Sequence, residues 1–182
     1  MAKTYKILVL AGSLRREAYS RKLAVLLAKN APANLSFTPA DIADLPLYNE
    51  DLEAQTPPAW ARLRREIAAA DGVIFITPEY NRSIPAALKN ALDIGSRPYG
   101  RNVWNGRPAL AVSLSQGPMG GYGANQHLRQ VLAVLNMPAM PQPEAYIGKV
   151  QELVNQADDP ANQKFLQGLM QGFAVWLDKQ LS

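Results

Sequence analysis

Three short stretches gather the side chains that could do chemistry. The first, 11–20 (A-G-S-L-R-R-E-A-Y-S), brings Ser13, Arg15, Tyr19 and Ser20 close behind Gly12. Hydroxyls and a guanidinium around a glycine turn are the donors an anion needs, and a helix starting there adds free backbone N–H groups and a positive dipole end. A phosphate site fits this pattern, and so does an ordinary strand-to-helix turn. It is not a Walker A loop, because no G-K-[ST] occurs, and it is not G-x-G-x-x-G. The second stretch is 77–85 (T-P-E-Y-N-R-S-I-P), in which Pro78 and Pro85 stiffen both ends. Glu79, Tyr80, Asn81 and Ser83 there offer an aromatic face and polar edges suited to a flat heterocycle. The same residues also suit a turn with Ser83 as helix cap and Pro85 in the first helical turn. The third, 113–124 (S-L-S-Q-G-P-M-G-G-Y-G-A), holds Ser115, Gly117 and Gly120, with four glycines in seven residues. Such a loop brings backbone close to a ligand or simply turns flexibly.

What is missing narrows the chemistry. The 182 residues contain no cysteine and a single histidine, His127. Disulfides, thiolate nucleophiles, iron–sulfur clusters and Cys-ligated zinc are excluded, as is any metal site needing two histidines. A Ser-His-Asp hydrolase would have to use His127, yet there is no G-x-S-x-G elbow. His127 falls in a predicted helix and reads as a structural or interface residue. Any redox work would have to be done by a borrowed cofactor.

The net charge of +4 is unevenly placed. Residues 1–30 carry Lys3, Lys6, Arg15, Arg16, Arg21, Lys22 and Lys29 against one acid, Glu17. A second basic stretch, 82–107, carries Arg82, Lys89, Arg97, Arg101 and Arg107 against Asp93. Each stretch contains or borders one of the loops above. That placement suits bound phosphate and anionic co-substrates, or a solvated basic face, better than a nucleic-acid surface, which would more often bring stacking aromatics. The N-terminal apolar run turns basic at L-R-R-E instead of reaching a small-residue cleavage site. No run approaches the roughly 18 apolar residues of a membrane span. A cytoplasmic protein with no membrane partner is expected.

The elements that must position these loops follow from periodicity. Short apolar runs predict strands over 5–10, 35–39, 72–77 and 109–115, with a fifth at 137–140 or 145–147, where Pro138, Pro141 and Pro143 blur the reading. Helices are predicted over about 19–30, 57–70, 85–94, 124–135 and 160–181. In the last, Phe165, Leu166, Leu169, Met170, Phe173, Trp176 and Leu177 form the expected core stripe. Residues 41–53 read as a connection. No repeat or linker divides the chain, so 1–182 is expected to be one domain. Alternating strands and helices give an α/β fold, a doubly wound five-stranded parallel sheet of flavodoxin-like order 2-1-3-4-5 with helices on both faces. Ligands of such sheets bind beyond the carboxyl ends of the strands, at the switch between the first and third.

Taken together, the loops resemble those of the NADPH-dependent FMN reductase family, which includes bacterial quinone and chromate reductases. Residues 77–93 match T-P-E-Y-N-x-S-x-P-x-x-L-K-N-A-x-D throughout, Gly12-Ser13-Leu14-Arg15 matches G-S-L-R, and Ser115-Gln116-Gly117 with Gly120-Gly121 matches S-x-G-x-x-G-G. The resemblance spans about 5–148. It implies bound FMN, with Ser13, Arg15, Tyr19 and Ser20 at the phosphate and Pro78–Ser83 along the isoalloxazine edge. Ser115, Gly117 and Gly120 would bring backbone donors to the N1/O2 side. One departure stands out: the family commonly reads G-S-L-R-x-x-S-x-N, and this chain has Ala18 and Ser20 at the last two positions. A phosphate hydroxyl is thereby lost, which implies weaker FMN retention.

The resemblance implies an enzyme that passes hydride from NAD(P)H through FMN N5 to quinones or other acceptors such as chromate, azo compounds or free flavin. No side chain is required as catalytic acid or base. Arg82 and Arg101 are the expected contacts for NAD(P)H phosphates or an anionic acceptor. The family forms homodimers and homotetramers, and one of these is expected. Two alternatives are a flavodoxin-like electron carrier, usually strongly acidic where this chain has a pI near 9.4, and a reductase supplying reduced flavin to a monooxygenase.

Overall fold

The structure is a computed structural model and describes residues 3–182. Strands and helices alternate as β1 (Tyr5–Ala11), α1 (Tyr19–Lys29), β2 (Leu35–Pro39), α2 (Pro58–Ala69), β3 (Gly72–Pro78), α3 (Ala86–Gly95), β4 (Ala109–Leu114), α4 (Tyr122–Val134), β5 (Ala145–Ile147), α5 (Val150–Asn155) and α6 (Pro160–Leu181). All five strands are parallel, in the order β2-β1-β3-β4-β5. The expected fold is thus the observed one.

Side-chain alternation along each strand explains why the sheet needs helices on both sides. Leu8, Leu10, Val73, Phe75, Ala109 and Ala111 face a core built with Trp60, Leu63 and Ile67 of α2, Leu88 and Leu92 of α3, and Leu128 and Leu132 of α4. Ile7, Val9, Ile74, Ile76, Leu110 and Val112 face the opposite core, with Leu23 and Leu27 of α1, Val150 of α5, and Leu166, Leu169, Phe173 and Leu177 of α6. Because the period is two and both faces are covered, the central strands read as unbroken apolar runs. Each Leu or Ile buried here contributes roughly 1.5–3 kcal/mol.

The differences from expectation have local causes. Of the two places expected for a fifth strand, 145–147 holds it as the three-residue β5, and 137–140 makes only an isolated bridge, Ala109 to Ala139. The connection after β2 contains a 3-10 turn at Glu50–Gln55, opened by the Asn49 side chain accepting from the Asp51 amide at 3.0 Å. The short α5 had no periodicity to announce it. In α6, Phe165 is exposed and Trp176 only half-buried, because Trp176 turns its indole N–H to the Pro138 carbonyl at 2.9 Å. Arg107 is withdrawn from the basic surface. Its guanidinium donates to the carbonyls of Ala68 and Ala70 at the end of α2, at 2.8 and 2.5 Å, which satisfies orphan acceptors there. None of the helices among the described residues is long and apolar enough to cross a membrane.

Candidate functional site

Loops leaving β1, β3 and β4 meet at the carboxyl edge of the sheet. Register places Ala11 beside Ile76 and Thr77 beside Ser113, so the three exits lie side by side. They enclose a cleft of about 210 Å³ lined by Ser13, Arg15, Ala18, Tyr19, Ser20, Pro78, Glu79, Tyr80, Leu114, Ser115, Gln116 and Val150. The switch-point location expected from the sequence is therefore where the cleft lies.

The first loop is drawn against β3 by the Gly12 amide, which donates to the Ile76 carbonyl at 2.9 Å. A Cβ at Gly12 would come within 3.3 Å of Leu88 and 3.4 Å of Pro78 and Pro85, so a side chain here would press on the second loop. Ser13 is buried, with its hydroxyl 3.4 Å from the Tyr80 hydroxyl and 3.4 Å from the Arg15 amide. At the start of α1, Ala18 holds the N-cap position with extended backbone (φ −67°, ψ 135°), and no side chain caps the helix. The Arg21 amide turns to the Ala18 carbonyl at 3.0 Å, while the Tyr19 and Ser20 amides and the dipole end lack the side-chain acceptor that a serine or asparagine would supply. Ser20 is 1% exposed, and its hydroxyl has no hydrogen-bond partner. A buried hydroxyl without a partner is uncommon and calls for an explanation. Here it sits in the wall of a cleft beside an open helix end.

Charge favours an anion as well. Arg15, Arg16 and Arg21 pair with no carboxylate among the described residues. Glu17, the one acid of the loop, is engaged by Lys22 at 2.9 Å, and that hydrogen-bonded pair lowers its pKa.

The second loop is a tight hairpin. Tyr80 and Ser83 exchange backbone hydrogen bonds of 2.9 and 3.0 Å across Asn81 and Arg82, both in the left-handed region. Ser83 does not cap α3, whose N-cap position is Pro85. Instead its hydroxyl lies 3.0 Å from His127 Nδ1. No carboxylate is hydrogen-bonded to His127 among the described residues, so this is a hydroxyl–imidazole pair without the third member of a hydrolytic triad.

The third loop folds back on β5 and α5. Ser115 donates through Oγ to the Gly117 carbonyl at 2.8 Å and through its amide to Ile147 at 3.0 Å, while the Lys149 amide closes on Gly117 at 3.0 Å. Gly120, with φ 61°, is buried against the backbone of Tyr146. Behind it the Tyr146 phenol is pushed up, first by burial and then by the nearby Glu144 carboxylate, and its oxygen accepts from the Gln126 amide at 2.9 Å.

Of the residues singled out from the sequence, Ser13, Arg15, Tyr19, Ser20, Pro78, Glu79, Tyr80 and Ser115 line this cleft. Asn81, Ser83, Gly117 and Gly120 belong to its loops but not to its lining. Arg82 reaches Glu79 at 3.1 Å. Arg101 is exposed in the 96–108 connection. Leu114, Gln116 and Val150 were missed. The first two adjoin Ser115, while Val150 could be reached only through the unforeseen α5.

A parallel 2-1-3-4-5 sheet whose switch point opens on an uncapped helix start and a buried free hydroxyl defines the flavodoxin-like class. A model of the NADPH-dependent FMN reductase family matches residues 5–152, and the chain belongs to that family. It is 49% identical over 180 residues to a quinone reductase of Pseudomonas putida, with 97% of each chain covered. It is 42% identical over 175 residues to the 2-hydroxy-1,4-benzoquinone reductase of a Burkholderia species, covering 94% of this chain and 96% of that one. Among solved structures, FerB, a flavoenzyme NAD(P)H:(acceptor) oxidoreductase from Paracoccus denitrificans, superimposes with a TM-score of 0.92 at 39% identity, covering 97% of this chain and 99% of that one.

Proposed function

We propose that the protein is an FMN-dependent NAD(P)H oxidoreductase that passes reducing equivalents to quinones. The observation that carries this reading is the unsatisfied donor set at the start of α1: uncapped amides, the unpartnered Ser20 hydroxyl and the carboxylate-free Arg15, all around one cleft. Those groups fit the FMN phosphate. When bound, FMN would supply the hydride chemistry that no side chain of this chain can supply.

The protein's own part is binding and orientation. Arg15, Ser13 and Ser20 hold the phosphate end, with Tyr19 beside them. Pro78, Glu79, Tyr80, Asn81 and Ser83 form a rigid edge for the ring system, and Ser115, Gly117 and Gly120 bring main-chain groups to its other side. Arg82 and Arg101 are proposed contacts for NAD(P)H phosphates or an anionic acceptor. Their exposure and charge support this role. Ala18 supports weaker FMN retention. Accordingly, Ala18→Ser is expected to tighten FMN several-fold while raising the stability of the cofactor-free chain by about 1 kcal/mol, the usual gain from a serine N-cap. Isothermal titration and thermal melts would check both, and an unchanged dissociation constant would remove Ala18 from the phosphate site.

A homodimer or homotetramer in the cytoplasm, where NAD(P)H is regenerated, completes the proposal. The open face between α3 and α4, with Val134 81% exposed, supports self-association, and light scattering on the eluting protein tests it. The decisive experiment is an absorbance spectrum of the purified protein before and after anaerobic NAD(P)H, followed by a quinone. Bleaching of a flavin band and its return on quinone addition is expected. A colourless protein that fails to take up FMN would sink the reading. In the same assay, Arg82→Ala and Arg101→Ala are expected to raise the NAD(P)H KM and flatten its salt dependence. Unchanged values would release both arginines from the site.

A further inference from the structure

The turn that brings Tyr80 to the cleft is a two-residue hairpin with left-handed backbone at both central residues. Asn81 and Arg82 have φ of 51° and 66°, a region that asparagine tolerates and that arginine adopts less readily. A two-residue turn closed by the Tyr80–Ser83 pair suits left-handed backbone at both central positions, so the turn holds its own shape, and contacts outside it decide where it is aimed.

Glu79 provides them. Its carboxylate is 13% exposed and bridges two groups: Oε1 accepts from the Arg82 guanidinium at 3.1 Å, and Oε2 accepts from the Ala124 amide at 3.2 Å. Ala124 lies in the first turn of α4, whose N-cap position is Gly121, with φ 71° and no side-chain cap. A carboxylate 45 residues upstream therefore fills the capping role and meets the positive end of the helix dipole. The seat is shaped for it. A Cβ at Gly123 would lie 3.0 Å from Glu79 Oε2 and 3.1 Å from the Arg82 carbonyl oxygen. At the other end of the turn the Ser83 hydroxyl meets His127 of the same helix at 3.0 Å. Helix α4 thus grips the turn on both sides.

We infer that Glu79 is a positioning residue: it docks the 80–83 turn onto the start of α4 and so fixes the edge against which the flavin lies, without itself bonding the cofactor. This rests on the flavin reading above. It also assigns Gly123 a role, that of leaving room for the carboxylate.

The test uses the full chain with Glu79→Gln and Gly123→Ala, read in two ways. Hydrogen exchange at the Tyr80 and Ser83 amides is measured on the cofactor-free protein, and the FMN dissociation constant is measured by fluorescence quenching. Charged hydrogen bonds are roughly twice as strong as neutral ones, so both variants are expected to speed exchange at these amides by about tenfold and to raise the dissociation constant by a similar factor. Gly123→Ala keeps the carboxylate and introduces a better helix former, so faster exchange in that variant cannot come from a weakened helix. Unchanged exchange in both variants overturns the docking role. Weaker FMN binding with unchanged exchange in Glu79→Gln overturns it too, by making Glu79 a direct ligand. Faster exchange with unchanged FMN affinity reduces the contact to a structural one and overturns the link to the cofactor. Should the native chain bind no FMN, the flavin reading fails, and exchange alone decides whether Glu79 docks the turn.

Discussion

Replacing Arg15 with alanine is expected to raise the FMN dissociation constant about 100-fold, roughly 2.8 kcal/mol at 1.4 kcal/mol per decade. Riboflavin binding should change by less than about twofold, because a lost hydrogen bond to a charged group is worth about 1.5–3 kcal/mol only where the charge exists. The size of the effect follows from the geometry. Arg15 lines the cleft beside the uncapped start of α1, and no carboxylate among the described residues competes for its guanidinium. Arg15→Lys should recover part of the loss, since it keeps the charge and gives up the two-pronged contact. Parallel titrations of the two flavins provide the check. Equal losses for FMN and riboflavin would show that Arg15 shapes the loop and does not read the phosphate.

Gly120→Ala is expected to be the most damaging single-methyl change near the site. The glycine sits at φ 61°, and an added Cβ would fall 2.5 Å from the Tyr146 carbonyl carbon, 2.7 Å from its oxygen and 2.9 Å from the Ile147 nitrogen. Every one of those atoms is backbone of β5, so no side chain can swing aside. The loop would have to lift, and the Gly120 carbonyl would then leave the Ser113 hydroxyl, which is fully buried and donates to it at 2.7 Å. Left-handed strain and a buried donor left with only a long 3.5 Å contact to the Ala145 carbonyl together should cost about 3 kcal/mol. At about 2–4 °C per kcal/mol for a chain of this size, the melting temperature should fall by roughly 6–12 °C. FMN affinity should fall as well, because Ser115 and Gln116 ride on the same loop. Gly117→Ala is the control. A Cβ there meets nothing within 4 Å, and stability should stay within about 0.5 kcal/mol of the native value. Similar melting temperatures for the two variants would contradict this account of the loop.

The central strands were legible because burial on both faces leaves its mark along the run: G-V-I-F-I carries no polar position to confuse with a helix, and only Thr77 follows at its end. The start of α6 falls at the expected Pro160, where Asp159 caps the helix by accepting from the Ala161 and Asn162 amides at 2.9 and 3.3 Å. The three-residue β5 was legible only as one of two places, 137–140 or 145–147, because the prolines around them blur both; it lies at the second. The helix α5 was not legible, because its six residues are too few to show a period.

In the site, loop positions followed from topology, while the use of individual side chains did not. Glu79 reads as one more polar group in a loop until α4 is folded beneath it. Arg107 reads as surface charge until the end of α2 arrives beside it. Asn90 lies in the family motif, yet its task is to hold the connection after β2, accepting from the Tyr48 amide at 2.8 Å and donating to Pro46 at 3.1 Å. Contacts across dozens of residues leave no local signature. Ala18 is the opposite case, since its absent hydroxyl shows against the family pattern and again as an uncapped helix.

That uncapped helix also bears on how long the molecule lasts. A ligand that binds only the folded state adds stability that grows with its concentration, about 2.7 kcal/mol at 100 times its dissociation constant. Since no side chain caps the first helix at residue 18, a cofactor phosphate held there as proposed would close it. Scarce flavin would then leave molecules that are not merely idle but also easier to unfold and to digest. The supply of one small molecule would set the size of the enzyme pool as well as its activity.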